Sequence, residues 1–229
     1  MKLKFDRLEH SLQVSPERAS FFEVRDRNLF ARVVQSFEEE KCDQGVEPYS
    51  IWNDDGTEKP HRGSEFLLID SLPRFPLSDR KLITPLMKKV SKSINADLER
   101  SSQINALMLQ IENLIESSKT DLQGSYDFEL DCAVEAFMKA LSFGTSMRSE
   151  DSIFDKGIAF LNLYSDIGLK KVVVFVNAKS FFYPKELQSL INRAVFLKIP
   201  TVFLESWHDG KNFENSTNFI VDQHFLELV

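Results

Sequence analysis

Lys170-Lys171-Val172-Val173-Val174-Phe175-Val176-Asn177 is the stretch on which the fold turns. Val172 to Val176 is apolar without alternation and mostly β-branched, the composition of a strand covered on both faces. Covering both faces takes helices above and below, which places the run inside an α/β sheet. Working outward, Pro184 to Phe196 has helical spacing, and Thr201-Val202-Phe203-Leu204-Glu205 reads as a second apolar strand. Together they form a βαβ unit, for which a right-handed crossover is expected. Phe66-Leu67-Leu68-Ile69-Asp70 is another fully buried strand, Ile153 to Leu163 is a helix leading into Lys170, and Asn218 to Leu228 supplies at least one closing strand.

Met1 to Phe5 alternates as an edge strand does, and Leu12-Gln13-Val14 and Phe21-Phe22-Glu23-Val24 give two more strands. Asp26 to Phe37 is an amphipathic helix with Leu29, Phe30, Val33, Val34 and Phe37 on one face. Glu38 to Pro60 is acidic and rich in turn formers around a short Tyr49-Ser50-Ile51-Trp52 strand, and Asp54-Asp55-Gly56 within it reads as a turn rather than a metal loop. The chain of 229 residues is 42% hydrophobic and 28% charged, an ordinary globular composition. Its 20 Phe fall along predicted strands and helices, which implies an aromatic-rich core rather than a base-stacking platform. Cys42 and Cys132 lack metal-ligand spacing and are expected as free thiols. No signal-peptide apolar region follows Met1 and no apolar run reaches membrane-spanning length, so a cytoplasmic protein is expected. A net charge of −7 argues against a surface coated with nucleic acid but is compatible with a local basic face.

From Ser78 the signal is helical throughout, and no glycine appears until Gly124. Leu82, Ile83, Leu86, Met87, Val90, Ile94 and Leu98 keep helical spacing. After a polar break near Asn95 to Ser102, so do Ile104, Leu107, Met108, Ile111, Leu114 and Ile115. Each stripe is as narrow as a coiled-coil seam. Thr84-Pro85 fits an N-cap followed by a first-turn proline, so the first helix is expected to kink or restart there. The prediction is a helical hairpin standing away from the sheet and inserted between its halves, with Asp127 to Phe143 a further helix returning to the sheet. The expected boundaries are an α/β domain of residues 1–77 and 137–229 and a helical domain of residues 78–136.

Sheets of this class often hold a nucleotide, yet the chain has neither Gly-x-x-x-x-Gly-Lys-Ser/Thr nor Gly-x-Gly-x-x-Gly. The nearest approach, Gly210-Lys211-Asn212, lacks the first glycine and the hydroxyl. His10, His61, His208 and His224 are dispersed singly, and no serine sits in an elbow motif. Asp70 ends a strand where a doubly wound sheet would hold a ligand, and is expected to act as a cap or turn residue. No active site is legible, and no enzyme is expected.

Two constellations remain. Asp127-Phe128-Glu129-Leu130-Asp131, with Glu135 a turn further on, gathers carboxylates on one side whether the segment is extended or helical. It reads either as an acidic helix start complementing the macrodipole or as an oxygen-rich site for a hard cation such as Ca²⁺. On the first hairpin helix, at roughly 100° per residue, Lys81, Lys88 and Lys92 fall within an arc of about 40°, with Lys89 beside them and the apolar stripe opposite. This is either a solvated lysine face or a stripe that tracks phosphates, and Lys139 and Arg148 extend it in the second reading.

The order of these features resembles the type II-A CRISPR adaptation ring proteins, the short form of the Csn2 family. The resemblance rests on Lys170 to Asn177 as the central strand, Glu150-Asp151-Ser152-Ile153-Phe154-Asp155-Lys156 as the preceding helix start and Thr201 to Glu205 as the next strand. Met1 to Phe5, Phe66 to Asp70, the Asp127-x-Glu129-x-Asp131 cluster and Phe137-Met138-Lys139-Ala140-Leu141 also match, in collinear order over almost the whole chain. The resemblance implies an α/β head like that of P-loop ATPases but lacking the P-loop, with an inserted helical leg. It further implies a homotetrameric ring that depends on Ca²⁺ and threads double-stranded DNA ends, without sequence preference, through a lysine-lined hole. The implied role is spacer acquisition in adaptive antiviral defence, beside the integrase complex and the RNA-guided effector nuclease of the same CRISPR locus. Carried onto this chain, Asp127, Glu129 and Asp131 become the calcium ligands, with Glu135 a further candidate. Lys139 becomes the foremost DNA-facing lysine, and the basic face described above adds Lys88 and Lys92 and then Lys81, Lys89 and Arg148. Two positions depart from the family: Cys132 stands where an acidic residue can extend the cluster, and the proline usual in the hairpin turn is missing. Two other readings stay open, a protein scaffold that docks adaptation partners with weak DNA contact and a nucleotide hydrolase with an unrecognised phosphate site.

Overall fold

Val172–Val176 forms a strand with every residue buried, paired in parallel on both sides. The computed structural model describes residues 1–38, 46–59, 65–119, 124, 134–148 and 150–228. The elements in chain order are β1 (Lys2–Phe5), β2 (Leu12–Gln13), β3 (Ala19–Val24), α1 (Arg27–Glu38), β4 (Tyr49–Trp52), β5 (Phe66–Ile69), α2 (Arg80–Ala96), α3 (Leu98–Ser117), α4 (Val134–Ala140), α5 (Ile153–Ile167), β6 (Val172–Val176), α6 (Pro184–Phe196), β7 (Thr201–Glu205), β8 (Ser216–Val221) and β9 (Glu227–Leu228). They divide into two compact units, Met1–Leu77 with Met147–Val229, and Ser78–Ser146.

The larger unit holds a six-stranded sheet of order β5-β6-β7-β3-β8-β9 and a three-stranded sheet of order β2-β1-β4. The large sheet is parallel from β5 to β8, and only β9 runs antiparallel. β6, which decides the fold class, sits one strand in from the edge, whereas β7 and β3 form the centre. One face buries Phe22, Val24, Phe66, Val174, Val202, Leu204 and Phe219 against Leu29, Val33 and Phe37 of α1, and the small sheet adds Leu3, Phe5, Tyr49 and Ile51 to the same cluster. On the other face Phe21, Phe203 and Phe175 stack along the register at 4.9 and 5.4 Å, and Phe213 continues the ladder at 5.3 Å. Phe75 and Phe160 meet its far end edge-on. The phenylalanine content is therefore largely sheet packing, as expected. α5 lies so close that a Cβ on Gly157 would come within 3.2 Å of Leu190 of α6. Ser152 caps α5 by accepting from the Asp155 amide, and Gly168, at φ +69°, ends it.

The smaller unit departs from the expectation in three places. α2 is capped by Asp79, whose carboxylate accepts from the Lys81 amide at 2.8 Å, and the helix runs unbroken through Pro85 instead of restarting at Thr84-Pro85. The proline removes one N–H, which the burial of Leu82, Ile83 and Met87 outweighs. α4 ends at Ala140 rather than Phe143, and Ser142 follows at φ +54°. Its Met138 and Val134 pack on Ile83, Leu86, Met87 and Val90 of α2 rather than on the sheet. The border expected at residue 136 therefore falls at Ser146. Finally, the break between α2 and α3 is a single residue. Asp97 closes α2 through its N–H to the Ile94 carbonyl and opens α3 by accepting from the Arg100 amide. α3 buries none of its residues, and Leu107, Ile111, Leu114 and Ile115 remain exposed among the described residues, so the expected seam is not closed there. No described helix is long and apolar enough to cross a membrane.

Candidate functional site

In an open parallel sheet, ligands bind outside the carboxyl ends of the strands where the connections part toward opposite faces. That point lies here between β3 and β7. β3 leads into α1 on one face, toward β5, whereas the α5 and α6 crossovers on the other face bring the chain back to β7, which then passes β3 to β8. Three loops open at this point: Arg25–Asp26 before α1, Asn177–Lys179 after β6, and Ser206–Gly210 after β7.

β3 and β7 carry glutamates side by side, for Glu23 and Glu205 are partners in register and both are fully buried. Adjacent buried carboxylates are stable only with a counter-charge and a proton. Lys179 supplies the counter-charge, donating to Glu23 at 2.7 Å and to Asp209 at 2.6 Å. Its ammonium, 3% exposed, also lies over the rings of Phe21 and Trp207. Burial alone would lower its pKa, but the bonds to Asp209 and Glu23 prevail and hold it above the ordinary value. Burial likewise works against the Asp209 carboxylate, and Lys179 reverses that and holds it low. His208 bonds the second Glu23 oxygen through Nδ1.

Glu205 is treated differently. It accepts from the Lys179 amide at 3.1 Å, and its Oε2 is buried without a hydrogen-bond partner. Burial, reinforced by the Glu23 charge and only partly offset by Lys179, pushes its carboxyl up to about 8, so it carries the proton at neutral pH. Asn177, in the left-handed region at φ +53°, ties the two neighbouring loops together by accepting from the Ser206 amide and hydroxyl at 2.9 and 2.8 Å.

A phosphate-binding sheet would present the free N-terminus of its first helix here. α1 does not, because the Asp26 carboxylate accepts from the Leu29 amide at 2.7 Å. Glu23, Lys179, Glu205 and Asp209 thus form a buried lock held by one shared ammonium, and sequence reasoning missed all four. The available signal was a glutamate near the end of each of two otherwise apolar strands, where a charge needs a buried partner. His208, read as a lone histidine, is one of those partners.

The positions singled out in the sequence distribute as follows. Lys81, Lys88, Lys89 and Lys92 are exposed on α2, whose buried positions are Leu82, Ile83, Met87 and Ser91. Lys139 is exposed in the last turn of α4, within the same unit. Arg148 belongs to the larger unit, exposed and 4.0 Å from Glu150. Asp127, Glu129, Asp131 and Cys132 lie outside the described residues, as do Cys42 and His61. Glu135 is half-buried in the first turn of α4. Among the described residues no three His, Cys, Asp or Glu side chains gather as a metal-binding group. The chemistry of Asp127, Glu129 and Asp131, hard oxygens at alternate positions, fits a cation such as Ca²⁺.

Comparison with known proteins supplies the context. A family model described as CRISPR-associated protein (Cas_Csn2) matches residues 47–225. A relative from Enterococcus faecalis, named CRISPR-associated protein Csn2, is 22% identical over 226 residues, which is 98% of this chain and 97% of its own. One of the same name from Streptococcus agalactiae is 21% identical over 228 residues, covering 99% and 96%. Among solved structures, the crystal structure of Stu0660 of Streptococcus thermophilus is similar at a TM-score of 0.58 and 14% identity, covering 95% of this chain and 74% of that one, a likeness of fold.

Proposed function

The chain belongs to the Csn2 family of CRISPR-associated proteins, and from that premise we propose that it acts in CRISPR adaptation as a ring-shaped clamp on double-stranded DNA ends. The observation that carries this reading is the exposed lysine face of α2, Lys81, Lys88, Lys89 and Lys92, with Lys139 exposed on α4 of the same unit. In a homotetrameric ring each copy repeats the patch around the hole. A protein of net charge −7 thereby converges positive charge on a polyanion, contacting phosphates and leaving bases unread. Arg148, in the larger unit, is a separate and weaker candidate for a phosphate contact. The clamp hands its DNA ends to the integrase complex, alongside the RNA-guided effector nuclease of the locus. The head descends from a P-loop-ATPase-like sheet in this proposal, and it carries out no hydrolysis, a view supported by the Asp26 cap on α1.

Gel shifts on linear duplex and on a closed circle of the same sequence test the clamp. Linear DNA is expected to be retained and the circle largely ignored, with log K falling steeply against log salt. Lys88→Ala is expected to flatten that slope by roughly 0.9 for every copy that engages a phosphate. Equal binding to both forms, or an unchanged slope in a Lys88→Ala/Lys92→Ala double variant, would overturn the clamp. It would favour a scaffold that docks protein partners, for which the exposed apolar positions of α3 speak.

Calcium enters the proposal through Asp127, Glu129 and Asp131, with Glu135 as a further candidate ligand. Bound there, the ion supplies the charge that three close carboxylates lack. At a hundredfold excess over Kd, Ca²⁺ is expected to raise the melting temperature by roughly 5–10 °C. Asp127→Asn/Asp131→Asn is expected to abolish the rise, and an equal response in both proteins would sink the assignment.

A further inference from the structure

We propose that the cleft at the carboxyl ends of β3, β6 and β7 binds a nucleoside monophosphate unit, taken either as a free nucleotide or as the terminal nucleotide of a DNA strand. The cleft is an open groove of about 580 Å³ lined by Arg25, Arg27, Phe30, Asn177, Ser206, Trp207 and His208, within the size range of small-molecule sites. Its place is the point where the connections of the parallel sheet part, the position at which the topology itself opens a crevice. All these residues belong to the larger unit, so the proposal does not depend on the DNA clamp assigned to α2 and α4.

The charge is right for one phosphate. The Arg25 and Arg27 side chains are exposed and make no ion pair among the described residues. The nearest competing acids are already engaged. Glu23 and Asp209 are held by Lys179 and His208, and Asp26 caps α1. Asp222, which feels the Arg25 charge, accepts from the His224 and Leu226 amides. Two guanidinium groups without a cradle of backbone N–H groups suit a monophosphate rather than a triphosphate chain.

The walls are right for a base. Trp207 is 41% exposed, and the Lys179 ammonium lies over its ring, 5.9 Å from the centroid. An exposed indole beside a cationic cleft offers a stacking face. The polar rim is set as well. Asn177 spends its Oδ1 on Ser206 and keeps its amide N–H groups for a ligand, and His208 spends Nδ1 on Glu23 and keeps Nε2.

The test uses Trp207 as reporter. Trp52→Phe leaves it the sole tryptophan of the chain's two. Titration with dAMP is expected to quench its fluorescence saturably, deoxyadenosine to bind about tenfold more weakly or worse, and Arg25→Ala/Arg27→Ala to abolish the quench without moving the melting temperature. Equilibrium dialysis of dAMP on the unsubstituted protein is expected to give the same ranking. Quenching by a 5′-phosphorylated duplex at lower concentration than dAMP, and not by the unphosphorylated duplex, identifies a DNA end as the source. Quenching by dAMP alone identifies the free nucleotide. Lys88→Ala/Lys92→Ala is expected to leave the dAMP titration unchanged, which separates this site from the clamp. Absence of saturable binding of either ligand at millimolar concentration, equal binding of dAMP and deoxyadenosine, or binding that survives loss of both arginines would each overturn the proposal.

Discussion

Lys179→Met is expected to lower the melting temperature by roughly 6–20 °C. Methionine retains the aliphatic stem over Phe21 and removes only the ammonium, which leaves Glu23 fully buried and Asp209 nearly so without their shared cation. Removing one partner of a buried ion pair costs about 3–5 kcal/mol, and in a chain of this size each kcal/mol corresponds to about 2–4 °C. The pH dependence identifies the cause. The folded ammonium titrates above the unfolded value of 10.5, so its contribution is fully present below that pH and is lost as pH rises through the folded value. Asp209, held below 3.8, contributes above that pH and loses its share as pH falls through its folded value. The gap between wild type and variant is therefore a plateau that closes at both extremes. Glu23→Gln combined with Lys179→Met is expected to recover the part of the loss that Glu23 carries, because a neutral partner needs no counter-ion, while Asp209 keeps Lys211 at 3.6 Å. A drop below 2 °C in thermal melts, or no recovery in the double variant, would show that the lock is not electrostatic.

Glu205→Gln is expected to act in the opposite direction, stabilising the protein as pH rises. The folded carboxyl titrates at about 8 against 4.5 when free. A raised carboxyl contributes stability below the unfolded value and loses it progressively until pH passes the folded one, here between 4.5 and about 8. Glutamine cannot ionise and still accepts from the Lys179 amide through its carbonyl, so it escapes the cost of charging a buried group beside Glu23. Wild type and variant are expected to melt together near pH 4.5, and the variant to lead by a gap of the order of 3–5 kcal/mol, or roughly 6–20 °C, at pH 8.5. A difference that stays constant from pH 4.5 to 9 would falsify the protonated assignment.

These two positions also mark the limit of sequence reading. Val172–Val176 declares an α/β sheet because an unbroken β-branched run fits a strand with both faces covered. The lysine face of α2 is legible for a similar reason, since residues three and four apart on a helix are neighbours by construction. The lock is not local, for Lys179 and Glu23 are separated by 156 positions. Their meeting depends on β7 settling beside β3, an order no single strand encodes. Periodicity likewise located the apolar side of α2 and α3 but could not say that α4 would cover the former and leave the latter open. Asp127, Glu129 and Asp131 were legible as a donor set, which is chemistry, and not as a geometry.

Asp97 has a mechanical consequence. As the only non-helical residue between α2 and α3, it makes the two helices a bar and a lever joined at one pair of backbone torsions. The lever is the 20-residue α3, about 30 Å long at 1.5 Å per residue, so a rotation of about 10° at the joint carries its far tip through about 5 Å. The hydrogen bonds from the Asp97 amide to Ile94 and from the Arg100 amide to the Asp97 carboxylate act as the detent that sets the angle.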